Sequence, residues 1–293
     1  MIAQLDWATD GSDWPNRKAS HFVDAAGLNW HVQVMGEGPV VLLLHGTGSS
    51  SHSWRDVMPI LARQFTVVTP DLPGHGFTSK PTPASLTLPG MAAAVTGLLK
   101  VLKLEPARAA GHSAGAAVLV RMAAERLSLA NPLVAFNGAF FPVAGVAGSF
   151  FKPMAKVMAS SKLMSKLFAS MADRTAVERL IRDTGSNLDE RGLAFYQRLF
   201  SNESHVAGTL AMMAAWDLHW VPQDLRSLPA DLYLVKAMGD RTIPPASSDR
   251  AAQLAPHSHL ITLQGLGHLA HEENPALAST IIADPATYVG VAP

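Results

Sequence analysis

Ser113 stands between two glycines in the stretch GHSAG, residues 111–115. A strand-like run ends just before it. AGAAVLVRMAAER follows with apolar residues at helical spacing and no breaker, so the serine occupies a strand-to-helix turn. Glycine suits such a turn because a Cβ at Gly111 or Gly115 would collide with the reversing backbone, leaving the hydroxyl exposed at the tip. A serine hydroxyl is barely ionised at neutral pH, and it becomes a nucleophile only with a base in reach and an anion to orient that base. Two later strand-like runs end on such groups: Asp240 in GDRTIPP and His268 in GHLAHEENP. The chemistry expected of Ser113, Asp240 and His268 is acyl transfer through a covalent serine intermediate. The plain alternatives are a helix N-cap for Asp240 and a structural loop role for His268. The order of the three and their shared strand-end placement favour catalysis.

Acyl transfer also needs two preorganised donors for the developing oxyanion. The backbone N–H of Ala114 is one candidate. The other is the N–H of Thr47, just past the tight glycine turn of HGTGSS. His45 is read as shaping that loop, His112 as packing beside the serine turn, and His75 in PGHGFT as a hydrogen-bonding loop residue. Asn137 ends another strand-like run but carries no charge, so it cannot replace Asp240 as the orienting anion.

The elements that must position these residues alternate along the chain. SHFVDAAGLNWHVQVMG, residues 20–36, reads as a hairpin, and PVVLLLHG as a strand buried on both faces. Strand and helix patterns then alternate through FTVVTPDLPGHG, a helix near 90–103, the serine turn and NPLVAFNG, resuming with ADLYLVKAMGD and HSHLITLQGLGH. This predicts an α/β fold with a doubly wound, mostly parallel sheet, whose site lies at the C-terminal ends of its strands. The stretch 139–227 is helical in pattern, Met-rich and strand-poor. It is expected to be a helical cap inserted between a first core part, 1–138, and a second, 228–293.

Composition excludes several other classes. The 293 residues carry 23 acidic and 23 basic side chains without a long basic run, which argues against nucleic acid as a partner. Cysteine is absent, which removes disulfides and thiolate sites and suits a reducing compartment. The first residues, MIAQLDWATDGSDW, place acids where a signal peptide needs a basic region and an apolar core. The expectation is a cytoplasmic protein that at most touches a membrane surface.

HGTGSSSHSW, PDLPGHGFTS, GHSAG, GDRTIPP and GHLAHEENP, in this order, resemble the α/β-hydrolase superfamily over nearly the whole chain. A narrower similarity lies in DWATDGSDWPNRKASHFVDAAGLNWHVQVMG, HGTGSSSHSWRDVMP and NGAFFPVAGVAG, which look like the BchO-type magnesium-chelatase accessory proteins of bacteriochlorophyll biosynthesis. The first resemblance implies the α/β-hydrolase fold and a serine hydrolase of esters or similar acyl bonds, with no metal or organic cofactor. The second implies a role in the magnesium branch of tetrapyrrole synthesis and an association with the chelatase. Two other readings use the same residues: an accessory protein that binds a porphyrin or the chelatase without catalysis, and a cofactor-free haloperoxidase or perhydrolase.

The cap sequence suggests what the substrate is like. On a helical projection Met154, Val157, Met158, Met164, Phe168 and Met171 gather on one side, with Lys152, Lys156, Lys162 and Lys166 on the other. Residues 139–172 contain no acid. One reading is ordinary packing of a cap over the core. The other has Phe140, Phe141, Phe150, Phe151, Met154 and Met158 roof a site for a large apolar acyl or tetrapyrrole ligand, with the lysines meeting its carboxylates or anionic lipid. Both readings bury the methionines.

Overall fold

The computed structural model describes residues 4–127, 130–142 and 162–290. The N-terminal hairpin is present: β1 (Ser20–Ala25) and β2 (Leu28–Met35) pair antiparallel. Ala26 and Gly27 between them both take positive φ, 51° and 76°, the backbone that a two-residue hairpin turn requires. There follow β3 (Val40–Leu44), β4 (Thr66–Pro70), β5 (Pro106–His112), β6 (Leu133–Phe136), β7 (Leu232–Ala237) and β8 (Ser258–Leu263). The eight strands among the described residues form one sheet in the order β1-β2-β4-β3-β5-β6-β7-β8. From β4 to β8 neighbours run parallel, while β2 joins β4 antiparallel. The mostly parallel sheet read from the sequence is therefore the one observed.

Side chains of these strands alternate between two cores, as a period of two demands. Leu42, Leu44, Leu133, Ala135, Leu232 and Leu234 enter the core on one face. Val41, Leu43, Val134, Phe136, Tyr233 and Val235 enter the core on the other. Helices α1 (Val57–Leu61), α2 (Leu88–Leu102) and α3 (Ala114–Ala124) cover these faces. In α2, Leu88, Met91, Ala92, Val95, Leu98 and Leu99 make one buried stripe at the three-and-four spacing of a helix, and Thr87 caps its start by accepting from the Gly90 N–H.

Among the described residues no strand lies between β6 and β7. The chain there forms α4 (Lys162–Met171), α5 (Arg174–Asp183), α6 (Glu190–Phe200), α7 (Glu203–Ala215) and α8 (Val221–Arg226). Asp173, Asp189 and Asn202 each accept backbone N–H groups of the next helix, which sets where α5, α6 and α7 begin. Helix α8 falls inside the segment read as insertion, yet it packs on α3 and puts Val221 and Leu225 into the main core. After β7 come α9 (Ala246–Ala252), α10 (Ala270–Glu273) and α11 (Pro275–Ala283). No described helix is long and apolar enough to cross a membrane.

The N-terminal segment fastens the insertion to the core. Trp14 is 2% exposed, its ring 4.9 Å from Phe77 of the core and 5.3 Å from Phe195 of α6. Arg198 of α6 returns hydrogen bonds to the Asp13 carboxylate at 2.5 Å and the Asp10 carbonyl at 2.6 Å.

Candidate active site

Strand β5 ends at His112, α3 begins at Ala114, and Ser113 between them has φ 51° and ψ −114°. An L-residue held in so sparsely populated a region costs about 1–3 kcal/mol, offset by the packing around it. The glycines act as expected: a Cβ on Gly111 would lie 2.6 Å from the Ala116 nitrogen, and one on Gly115 would lie 2.4 Å from the Leu44 carbonyl oxygen. The Ser113 N–H donates to the Phe136 carbonyl at 2.9 Å, and the Ser113 carbonyl accepts from the Ala139 N–H at 3.0 Å, so the end of β6 clamps the turn.

Asp240 and His268 follow β7 and β8, adjacent strands, and the structure brings them together. His268 Nδ1–H donates to Asp240 Oδ2 at 2.7 Å. The same oxygen accepts from Asn137 Nδ2 at 2.6 Å, while Oδ1 accepts from the N–H groups of Thr242 (2.7 Å) and Ile243 (2.8 Å). With Nδ1 engaged as donor, Nε2 of His268 is left as the acceptor of the ring. Asn137 is thus a member of the site that its lack of charge had set aside. It holds φ 50° at the end of β6, beside β7 in the sheet.

His112 lies buried beside the serine turn. Its Nε2–H donates to the His268 carbonyl at 2.9 Å and fixes the backbone of that residue. His45 Nδ1–H donates to the Gly46 carbonyl at 2.8 Å, and its Nε2 accepts from the Leu72 N–H at 2.9 Å, tying the HGTG loop to the loop after β4. His75 contacts the Pro73 carbonyl within its own loop at 3.2 Å. Thr47 is exposed to the cavity, and Gly48 after it takes φ 79°.

A buried polar network, not foreseen from the sequence, joins this loop to the insertion. Tyr196 of α6 donates to Glu272 Oε1 at 2.6 Å and receives the Ser49 hydroxyl at 3.2 Å. Ser53 donates to the same carboxylate oxygen at 2.9 Å, and Arg55 pairs with Oε2. Burial raises the Glu272 carboxyl above its ordinary range, opposed by Arg55 and by these donors. Burial, with Glu272 beside it, raises the Tyr196 hydroxyl well above its own, so it stays protonated as the donor. Closer to His268, the Thr184 carbonyl accepts from the N–H of Arg241 (3.0 Å) and of His268 (3.4 Å), and the Ser186 hydroxyl accepts from the Leu269 N–H at 2.8 Å. Gly185 between them lies so flat on the loops that a Cβ would come 1.9 Å from the Gly239 carbonyl oxygen. A Cβ on Gly267 would in turn come 2.3 Å from Gly185.

Above the serine lies a cavity of about 540 Å³ whose lining includes Thr47, Ser113, Ala114, Phe141, Trp216 and His268. That volume is in the range of small-molecule sites. Leu180 and Ile181 of α5, Phe200 of α6, and Met212 and Met213 of α7 add apolar surface to its wall. Phe141 lines it, with the Arg250 guanidinium 4.0 Å from the ring centroid. Phe140 does not, contrary to expectation: it is fully buried in the main core, its ring so close to the Gly138 backbone that a Cβ there would sit 2.4 Å away. Successive residues point apart, and only one of the pair can face the cavity. Phe150, Phe151, Met154 and Met158 lie outside the described residues, as do Lys152, Lys156 and Val157. The expectation that the methionines are buried fails at Met171, which is 62% exposed because α4 packs on α7 at the outside of the insertion.

His45, His52, His75, His112, His205 and His271 are buried, and burial lowers each below its ordinary value of 6.5, to about 4 for His205. The native state keeps them neutral, whereas the unfolded chain protonates them below about pH 6.5. Their stabilisation is therefore complete above pH 6.5 and is lost as pH falls toward the folded values, at up to about 1.4 kcal/mol per ring per pH unit. Urea unfolding followed between pH 8 and 5 is expected to give a midpoint that is level at the alkaline end and falls steeply below pH 6.5. A midpoint unchanged down to pH 5 would contradict the buried neutral rings.

A family model described as the alpha/beta hydrolase family matches residues 41–279. The magnesium-chelatase 30 kDa subunit of Rhodobacter capsulatus is 35% identical over 264 residues, which cover 89% of this chain and 92% of that protein. A pyrrolizixenacetamide deacetylase of Xenorhabdus hominickii is 28% identical over 82% of this chain and 88% of its own. Among solved structures, an enol-lactonase from Burkholderia xenovorans LB400 superposes with a TM-score of 0.73 at 20% identity, covering 91% of this chain and 100% of that one. The last likeness is one of fold.

Proposed function

The chain belongs to the alpha/beta hydrolase family, and on that premise we propose that it is a serine hydrolase of carboxylic esters or similar acyl bonds. The observation that carries this reading is the His268 Nδ1–Asp240 bond at 2.7 Å on the cavity that Ser113 lines. In the first step Ser113 Oγ bonds to the acyl carbon as its proton passes to Nε2 of His268. The bond to the leaving oxygen then breaks, and His268 returns that proton to it. Water, deprotonated by the same nitrogen, next releases the acid and restores Ser113. The first N–H groups of a helix lack partners within it, so the Ala114 N–H is free for the oxyanion together with that of Thr47. Asp240 holds the tautomer of His268 and stabilises its charged form, and Asn137 holds Asp240.

The similarity to a magnesium-chelatase subunit supports placing the reaction at the magnesium-chelatase step of bacteriochlorophyll biosynthesis, with an apolar acyl or tetrapyrrole ester as substrate. In this reading the insertion sets substrate choice. Its exposed Lys166, beside Leu167 and Phe168, meets substrate carboxylates or an anionic membrane surface.

Incubation with a fluorophosphonate probe tests the assignment without a choice of substrate. The adduct is expected on Ser113. A magnesium-porphyrin ester is expected to quench the fluorescence of Trp216, which lines the cavity. Porphyrin binding with no labelled serine would replace the enzyme by a binding protein on a hydrolase scaffold; labelling without porphyrin binding would leave a hydrolase of other esters.

A further inference from the structure

A second apolar hollow, of about 360 Å³, opens on the outer side of the insertion. Phe168 and Met171 of α4 and Ala176 of α5 form its rim, and Thr209 is the only polar side chain among those that line it. The rim is unusually bare for a water-facing surface: Phe168 is 44% exposed and Met171 62%. Exposed apolar area gathered in one place marks a surface that something covers.

What covers it is suggested by the inner wall. Leu180, Phe200 and Thr209 line both this hollow and the catalytic cavity, so one layer of side chains separates the two. That layer abuts the loop assigned to the oxyanion: a Cβ on Gly48, next to Thr47, would lie 3.4 Å from the Phe200 ring and 3.8 Å from the Thr209 methyl. The rim offers hydrocarbon and aromatic surface with no charged side chain in the lining to hold a headgroup.

We infer that the outer hollow is the tail subsite of the same acyl site. It takes the hydrocarbon chain of a long-chain acyl ester whose carbonyl lies at Ser113, the chain crossing the layer of Leu180, Phe200 and Thr209. The preferred substrate class is thus an ester with a long apolar tail. The inference rests on the serine-hydrolase reading for the carbonyl end alone.

The test compares p-nitrophenyl butyrate with p-nitrophenyl laurate in the wild type, in Ala176→Trp, which fills the rim, and in Met171→Asp, which charges it. Both positions are exposed, so either substitution leaves the cores intact. The wild type is expected to favour laurate, and each variant to lower the laurate-to-butyrate ratio of kcat/KM by about tenfold or more, the effect of excluding a few methylenes from an apolar wall. In parallel, palmitate binding is measured by displacement of a fluorescent fatty acid, with Ser113→Ala as background. The rim variants should weaken it about tenfold in step with the ratio. If neither ester is turned over, the hydrolase reading fails while palmitate binding still decides the subsite. An unchanged ratio with unchanged palmitate binding overturns the inference. So does an unchanged ratio accompanied by loss of binding to phosphatidylglycerol vesicles, which would make the hollow a membrane-docking face.

Discussion

Ser113→Ala is expected to abolish fluorophosphonate labelling and to reduce ester hydrolysis by about 10⁴-fold or more, with the thermal midpoint close to that of the wild type. The size follows from losing the nucleophile of a group that acts as a unit, which leaves only what the oxyanion donors and binding contribute. Stability should hold because the turn is fixed by other atoms. The backbone bonds of Ser113 to Phe136 and Ala139 do not involve its side chain, and the close approaches at Gly111 and Gly115 remain. An alanine retaining most of the esterase activity would remove Ser113 from the mechanism.

Asp240→Asn tests a different property, the tautomer of His268, and a loss of about 10⁴ in kcat is expected. All four groups around the carboxylate are donors: Nδ1–H of His268 and Nδ2–H of Asn137 at one oxygen, and the N–H groups of Thr242 and Ile243 at the other. An amide offers one acceptor and one donor atom. The backbone pair cannot rotate away, so the amide oxygen turns to it and the NH₂ faces His268. The imidazole must then accept at Nδ1 and carry its proton on Nε2, where it can no longer take one from Ser113. The charge that stabilises the imidazolium is lost as well. Chromogenic ester turnover with circular dichroism as a fold control measures both effects, and a loss below tenfold would point to another acid.

How far the sequence discloses this site depends on whether a residue's role is local. Ser113 is legible because its strained turn needs glycines two residues away on either side, and such a requirement appears as spacing. Asp240 and His268 are legible because each closes a strand, and parallel strands bring their ends to one edge. Asn137 closes a strand too, but its role arises from the pairing of β6 with β7, which no spacing states. The bonds of Tyr196, Ser53 and Arg55 to Glu272 span 76 to 219 residues of chain and leave no periodic trace. In the insertion, helical character is clear from the pattern, while the direction each apolar face takes is set by its neighbours. Phe140 turns to the core, Phe141 to the cavity and Met171 to the outside. Trp14 lies in a stretch that carries a resemblance in the sequence, whereas its packing between Phe77 and Phe195 of α6 emerges only in three dimensions.

The meeting of Gly185, Gly239 and Gly267 bears on how such proteins can exchange parts. Matching ends at β6 and β7 are not enough for a shuffled segment at this place. Here the middle of the insertion is also a joint, because the acid and base loops both rest on the 184–186 backbone and Gly185 takes φ 87° with no room for a side chain. A transplanted cap lacking a glycine at this place would wedge Asp240 and His268 apart even if its own helices folded well. On the proposed hydrolase reading, the helical segment between β6 and β7 is therefore held at a fixed tripeptide, and sequence can vary on either side of it while the Asp240–His268 geometry stays in place.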